Sequence, residues 1–158
     1  MSEPCFDVAH LGHVELLTDK PEESLDFFVN VYGLTESGRE GDSVFLRAWD
    51  DYEVHSLKLT ASDTTGMAHC GYRTSSEAAL HRRVAAIEAM GLGIGWTDGD
   101  FGHGPSFRFN SPDGHVFELY WETNKYQAPE AERPALKNIA QRYHGRGAAP
   151  RRIDHFNL

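Results

Sequence analysis

Cysteine is scarce in this chain, and so is any long apolar run. Its 158 residues include two cysteines, Cys5 and Cys70, too few for the disulfide framework of a small secreted domain. No apolar stretch approaches the roughly 20 residues that a membrane helix requires. Positive charge is also in short supply. Fifteen Lys and Arg stand against 24 Asp and Glu, a net charge of −9, which argues against nucleic acid or an anionic membrane as partner. The acidic start "MSEPCFD" lacks the basic-then-apolar order of a secretion signal, so a cytoplasmic location is expected. Apolar residues at 40% suffice for a packed core, and the length fits one compact domain or two small units sharing that core.

What the chain does have is histidine, nine copies at 10, 13, 55, 69, 81, 103, 115, 144 and 155, and a repeat. Residues 10–18, "HLGHVELLT", read as a strand. Residues 21–32 read as a helix, with Pro21 near its start, Leu25, Phe28, Val29 and Tyr32 at helical spacing, and Gly33 as the stop. "SVFLRAW" (43–49) and "VHSLKLT" (54–60) fit strands, with "ESGREGD" as a polar connection. The order then restarts. "MAHCGYRT" (67–74) is a strand, and 75–90 a helix whose Thr74 and Glu77 are spaced as a capping box and whose stop is Gly91. "LGIGWTD", "SFRFNSP" and "HVFELYWE" complete the set. His13 and His69 lie 56 residues apart and Gly33 and Gly91 58, so the pattern is a duplicated β-α-β-β-β unit. The expected fold class is α+β, with two such units, about 8–62 and 63–122, forming one cup-shaped mixed sheet.

The stretch "PDGHVFELYWE" (112–122) places Glu118 in the middle of a strand with no solvated face. A buried carboxylate must be neutralised, paired or bound to a metal ion. His13 opens the first unit, His69 opens the second, and Glu118 sits on the last strand. Two imidazoles and a carboxylate on one side of an ion form the facial triad of non-haem Fe(II) oxygenases. His103 lies in a glycine-flanked loop, "FGHGP", and is a candidate lid residue or substrate contact.

Beyond Glu122 the pattern dissolves into a polar stretch (123–150) expected to be a partly helical linker. The closing "RRIDHFNL" (151–158) then reads as a strand once more. Its "IDHFNL" parallels "LGHVEL" at 11–16, so His155 repeats His13 at a distance of 142 residues. The expectation is a second domain beginning here, with His155 as one of its metal ligands.

Taken together, "GHVELLT", "VYGL", "VFLRAW", "HSLKLT", "GMAHCGYRT", "SPDGHVFELYWE" and "IDHFNL" resemble the amino-terminal domain of a type I extradiol, catechol 2,3-dioxygenase-like enzyme of the vicinal oxygen chelate superfamily. That resemblance implies Fe(II), with Mn(II) possible in its place, O2 and a catechol-type aromatic substrate whose ring opens beside the diol. It implies a homo-oligomer, and an iron site in the carboxy-terminal domain of which this domain is a copy. It places His13, His69 and Glu118 where iron ligands fall, His55 where the family keeps its acid–base histidine, and Arg108 where a tyrosine often meets substrate. On the same fold, a glyoxalase-like or fosfomycin-type metalloenzyme and a metal-free bleomycin-resistance-like binding module are the alternatives, since two histidines and a glutamate also suit Mn(II) or Zn(II).

Overall fold

The computed structural model describes residues 6–137, 139–143, 145 and 147–157, leaving Cys5 and Leu158 outside. Its strands are β1 Val8–Thr18, β2 Thr35–Glu40, β3 Ser43–Arg47, β4 Leu57–Ala61, β5 Gly66–Thr74, β6 Gly93–Thr97, β7 Ser106–Asn110 and β8 Val116–Tyr120. Two helices interrupt them, α1 Pro21–Asp26, continued by a π-helical turn Phe27–Tyr32, and α2 Glu77–Ala89. All eight strands join one sheet in the order β2-β3-β4-β1-β5-β8-β7-β6. β1 runs parallel to β4 and β5 parallel to β8, while β1 and β5 meet antiparallel at the centre. Each half is therefore the same β-α-β-β-β unit, and a local twofold passes between β1 and β5.

Strand alternation divides the side chains between two surfaces. On the helix side, Leu34, Leu46, Ala48 and Leu57 form one core with Val14, Leu16, Leu25, Phe28 and Val29 packed on it. Leu80, Val84, Phe107 and Leu119 form the other with Tyr72, Ile87, Phe109 and Trp121. Each fully buried Leu or Val contributes roughly 1.5–3 kcal/mol. The opposite surface is the inside of the cup, and it receives the polar residues of the same strands.

Several local expectations need correction. The stretch read as a polar connection is strand β2, paired antiparallel with β3. As an edge strand with most of its residues exposed, it can be as polar as a loop. The first helix stops as expected at Gly33, whose φ of 93° is the left-handed cap, but its second half is π-helical. Over that wider turn four residues no longer complete a circuit, so Tyr32 swings off the core face and is 41% exposed. The cap of α2 is Ser76, which accepts from the Ala79 N–H at 3.1 Å, because the Thr74 hydroxyl is committed to the Tyr120 and Ser76 carbonyls. β4 begins at Leu57, so His55 sits on the turn before it and not on a strand.

The stretch after β8 folds back over the first unit. Tyr126 donates its N–H to the Tyr52 carbonyl and its ring lies 3.5 Å from the Arg47 guanidinium carbon. Trp49 Nε1 donates to the Ala149 carbonyl, and Asp50 pairs with Arg151 and Arg152. Among the described residues there, the helical content is one 3-10 turn, Glu130–Glu132. Residues 151–157 form no strand. A strand requires a ladder partner, and among the described residues none is offered there. No described helix is long and apolar enough to cross a membrane.

Candidate metal centre

The central strands deliver the three expected ligands to one point. His13 on β1 is directly opposite Gly71 on β5, and Gly71 in turn is opposite Glu118 on β8. His69 is two residues before Gly71 and so shares its face. Gly71 is the vacancy that lets them meet. A Cβ added there would stand 2.3 Å from His13 Cε1, so any larger residue drives the imidazole out of the cup.

His13 Nε2 and His69 Nε2 stand 3.1 Å apart, and Glu118 Oε1 lies 3.7 Å from the first and 3.8 Å from the second. One ligand atom from each of the three fits within a 4.8 Å span. Atoms coordinated to one ion at about 2.1 Å stand roughly 3 Å from each other, so the imidazole pair is already at that spacing. Each of the three is 1% exposed, which shuts water out.

The surroundings fix how the ligands present themselves. His69 Nδ1 faces Glu15 Oε2 at 2.7 Å, which places the ring proton on that nitrogen and leaves Nε2 as a bare lone pair. Glu15 is held in turn by Thr60 Oγ1 at 2.6 Å and Lys58 Nζ at 3.3 Å. Burial favours a protonated Glu15, but hydrogen bonds from His69 and Thr60 and the nearby charges outweigh it and bring the carboxyl down to about 2. Burial, reinforced by His55, His69, His103 and Lys58, keeps His13 well below the ordinary imidazole value, so it is neutral and able to ligate. Arg108, opposite Glu118 in the ladder, places Nε 3.0 Å from Oε2. That leaves Oε1 facing the imidazoles, buried and without a hydrogen bond.

The remaining expected residues are close by. The His55 ring centroid is 4.7 Å from that of His13, and burial pulls its pKa down to about 3. His103 is not solvated as a loop residue would be. Its side chain is 2% exposed, with Nε2 3.4 Å from Glu118 Oε1. His155 stands apart at the surface, 80% exposed, with Asp154 Oδ2 at 3.1 Å from its Nδ1. A cavity of about 480 Å³ is lined by Val54 and Phe101 together with Arg47, Trp49 and Tyr126. None of the three ligands lines it.

Sequence reasoning missed Glu15, Lys58, Glu53 and Asp100. Glu15 had a signal, since it is two residues from His13 on the same strand. Glu53 had none. It accepts from Tyr120 Oη at 2.6 Å and Arg73 Nε at 2.8 Å, partners 67 and 20 residues away. Burial and Glu53 raise the Tyr120 pKa, so that hydroxyl remains a donor.

Residues 67–124 match the family model described as the catechol 2,3-dioxygenase-like N-terminal domain. Metapyrocatechase of Geobacillus stearothermophilus is 46% identical over 99% of this chain and 48% of its own length. The manganese-dependent 2,3-dihydroxybiphenyl 1,2-dioxygenase of Geobacillus genomosp. 3 is 38% identical over 96% of this chain and 49% of its own length. The chain thus spans about half the length of the curated relatives it matches. Among solved structures, the 2,3-dioxygenase LapB of Pseudomonas sp. KL28 is similar with a TM-score of 0.70 and 30% identity, covering 77% of this chain and 43% of that one. Homoprotocatechuate 2,3-dioxygenase of B. fuscum, at 23% identity, shares the fold with a TM-score of 0.72 over 80% of this chain and 36% of that one. The duplicated unit, the single curled sheet and these likenesses together make the chain similar, over nearly its whole length, to the amino-terminal half of extradiol, catechol 2,3-dioxygenase-like enzymes of the vicinal oxygen chelate fold.

Proposed function

We propose that the whole protein is an extradiol ring-cleaving dioxygenase that opens catechols with O2 and a divalent metal, Fe(II) or Mn(II), as a cytoplasmic homo-oligomer. The observation that carries this reading is the 46% identity to a metapyrocatechase across 99% of the chain. The convergence of His13, His69 and Glu118 supports metal dependence. When bound, such an ion acidifies the diol and activates the ring for attack by O2. In this domain His13, His69 and Glu118 would hold a divalent ion of their own, with Glu15 orienting His69 and Arg108 balancing the charge on Glu118.

The seal over the three ligands favours placing ring opening outside this cup, at a site to which His155 contributes. His155 repeats the His13 position, and its ring is exposed. The roles expected of His55 in proton transfer and of His103 in substrate contact require the loop over the cup to lift, since both are buried in the closed state. Arg108 is partly exposed but is turned to Glu118 Oε2. A closed cup also disfavours a metal-free binding module, whose ligand would need it open.

Whole protein reconstituted anaerobically with Fe(II) or Mn(II) and then given catechol and O2 is expected to form the yellow ring-opened semialdehyde. His155→Ala is expected to lower the rate by more than about 100-fold, the upper range for removing a mere ligand support. Full activity in that variant removes His155 from the site. No product from wild type with either metal removes the dioxygenase reading.

A further inference from the structure

We propose that His103 is a fourth ligand and that the amino-terminal centre is a closed, four-coordinate structural site for Zn(II). The inference rests on the reading of His13, His69 and Glu118 as metal ligands and goes beyond it in ligand number, ion and role. His103 Nδ1 is 2.9 Å from the Gly104 carbonyl oxygen. A carbonyl only accepts, so the ring proton belongs on Nδ1 and Nε2 is a bare lone pair. That lone pair is buried, has no hydrogen-bond partner, and faces Glu118 Oε1 at 3.4 Å. Glu118 Oε1 is itself buried without a hydrogen bond. Two acceptors face each other in a water-free interior at the edge of the His13 and His69 pair, an arrangement that a nearby cation makes favourable. The 4.8 Å span shared by the other three ligand atoms does not include His103, so its ring, 5.3 Å from that of His13, would move inward on binding.

The loop that carries His103 is built to stay down. At Gly102, with φ of 85°, a Cβ would stand 1.9 Å from Val54, and at Gly104 one would stand 2.5 Å from Glu122. Phe101 packs so tightly on β2 that a Cβ at Gly38 would lie 2.5 Å from its ring. Asp100 is fastened to Lys58 at 2.5 Å. A loop held down over the three other donors leaves no position for substrate once His103 turns in, as in a structural site, whereas a catalytic site keeps one position open.

The local twofold explains why the described residues form one such cluster and not two. Val14 pairs with Leu57 as Cys70 pairs with Phe117, so the next residues, Lys58 and Glu118, are counterparts. Where the second unit supplies a carboxylate, the first supplies an ammonium, and it already neutralises Glu15 and Asp100.

The test uses the 158-residue chain and Co(II), a stand-in for Zn(II) whose visible bands are intense in four-coordinate sites and weak in six-coordinate ones. Wild type is expected to bind one Co(II) per chain with intense bands that Zn(II) abolishes by displacement. His103→Ala is expected to weaken Co(II) binding at least about tenfold and to leave only weak bands, while His115→Ala, on an exposed turn, changes neither. Equal affinity and spectrum in wild type and His103→Ala overturns the fourth ligand but leaves the triad standing. Weak bands in wild type overturn it even if the variant does not fold. No Co(II) bound by wild type overturns the triad as well.

Discussion

At the scale of single residues, pH separates the buried groups. His55 titrates near 3 in the folded chain because burial excludes the cation, against an ordinary 6.5. Between those values the unfolded chain takes up a proton that the folded one refuses, so stability declines as pH falls below 6.5 and levels off near 3. At about 1.4 kcal/mol per pKa unit, acidification from pH 6.5 to 5 is expected to cost up to about 2 kcal/mol from His55, and His13 adds in the same direction. Urea midpoints measured with a chelator from pH 7.5 to 5 should fall less steeply for His55→Gln than for wild type; equal slopes would contradict this. Glu15, brought down to about 2 from an ordinary 4.5, contributes stability that is present above 4.5 and lost as pH falls through 2, a lower window that overlaps the acid end of the His55 window. Glu15→Gln is expected to cost roughly 1–3 kcal/mol at pH 7 and to weaken metal binding about 10- to 100-fold. Unchanged binding by titration would remove Glu15 as the group that orients His69. Period-two alternation from His13 predicts that Glu15 faces inward. Nothing short-range predicts Glu53, because its partners come from β5 and β8.

Among elements, β5 carries the sharpest constraint. Gly71→Ala puts a methyl group where the His13 ring now lies, and overpacking of this kind costs typically 1–3 kcal/mol. Loss of metal binding by a variant that still folds is the expected result, seen by circular dichroism beside a metal titration. Retained affinity would mean that His13 is not a ligand. At the start of α2, Ser76→Ala should cost about 1 kcal/mol in thermal or urea unfolding, whereas Thr74→Ala acts through the lost bond to the Tyr120 carbonyl rather than through the cap. The helices, β1, β5 and β8 were legible because apolar periodicity and glycine stops are local signals. β2 was not, since an exposed edge strand carries no apolar alternation. The turn holding His55 resembled a strand because the following strand continues its apolar pattern.

For the whole molecule, duplication was the most legible property, since two histidines and two helix stops recur at nearly one spacing. The sequence could not reveal that the cup is closed, because the closure comes from a glycine-rich loop packing against strands from the other unit. The central claim is that the buried His13, His69 and Glu118 cluster holds a divalent ion, and the most direct measurement compares thermal midpoints of wild type and Glu118→Gln with Mn(II), or with Fe(II) under anaerobic conditions, and after chelation. Metal at 100 times its dissociation constant stabilises the folded state by about 2.7 kcal/mol, a rise of a few degrees for a chain of this size. The account predicts that rise in wild type and its absence in Glu118→Gln. A wild-type midpoint that does not change when metal is added or removed would contradict it.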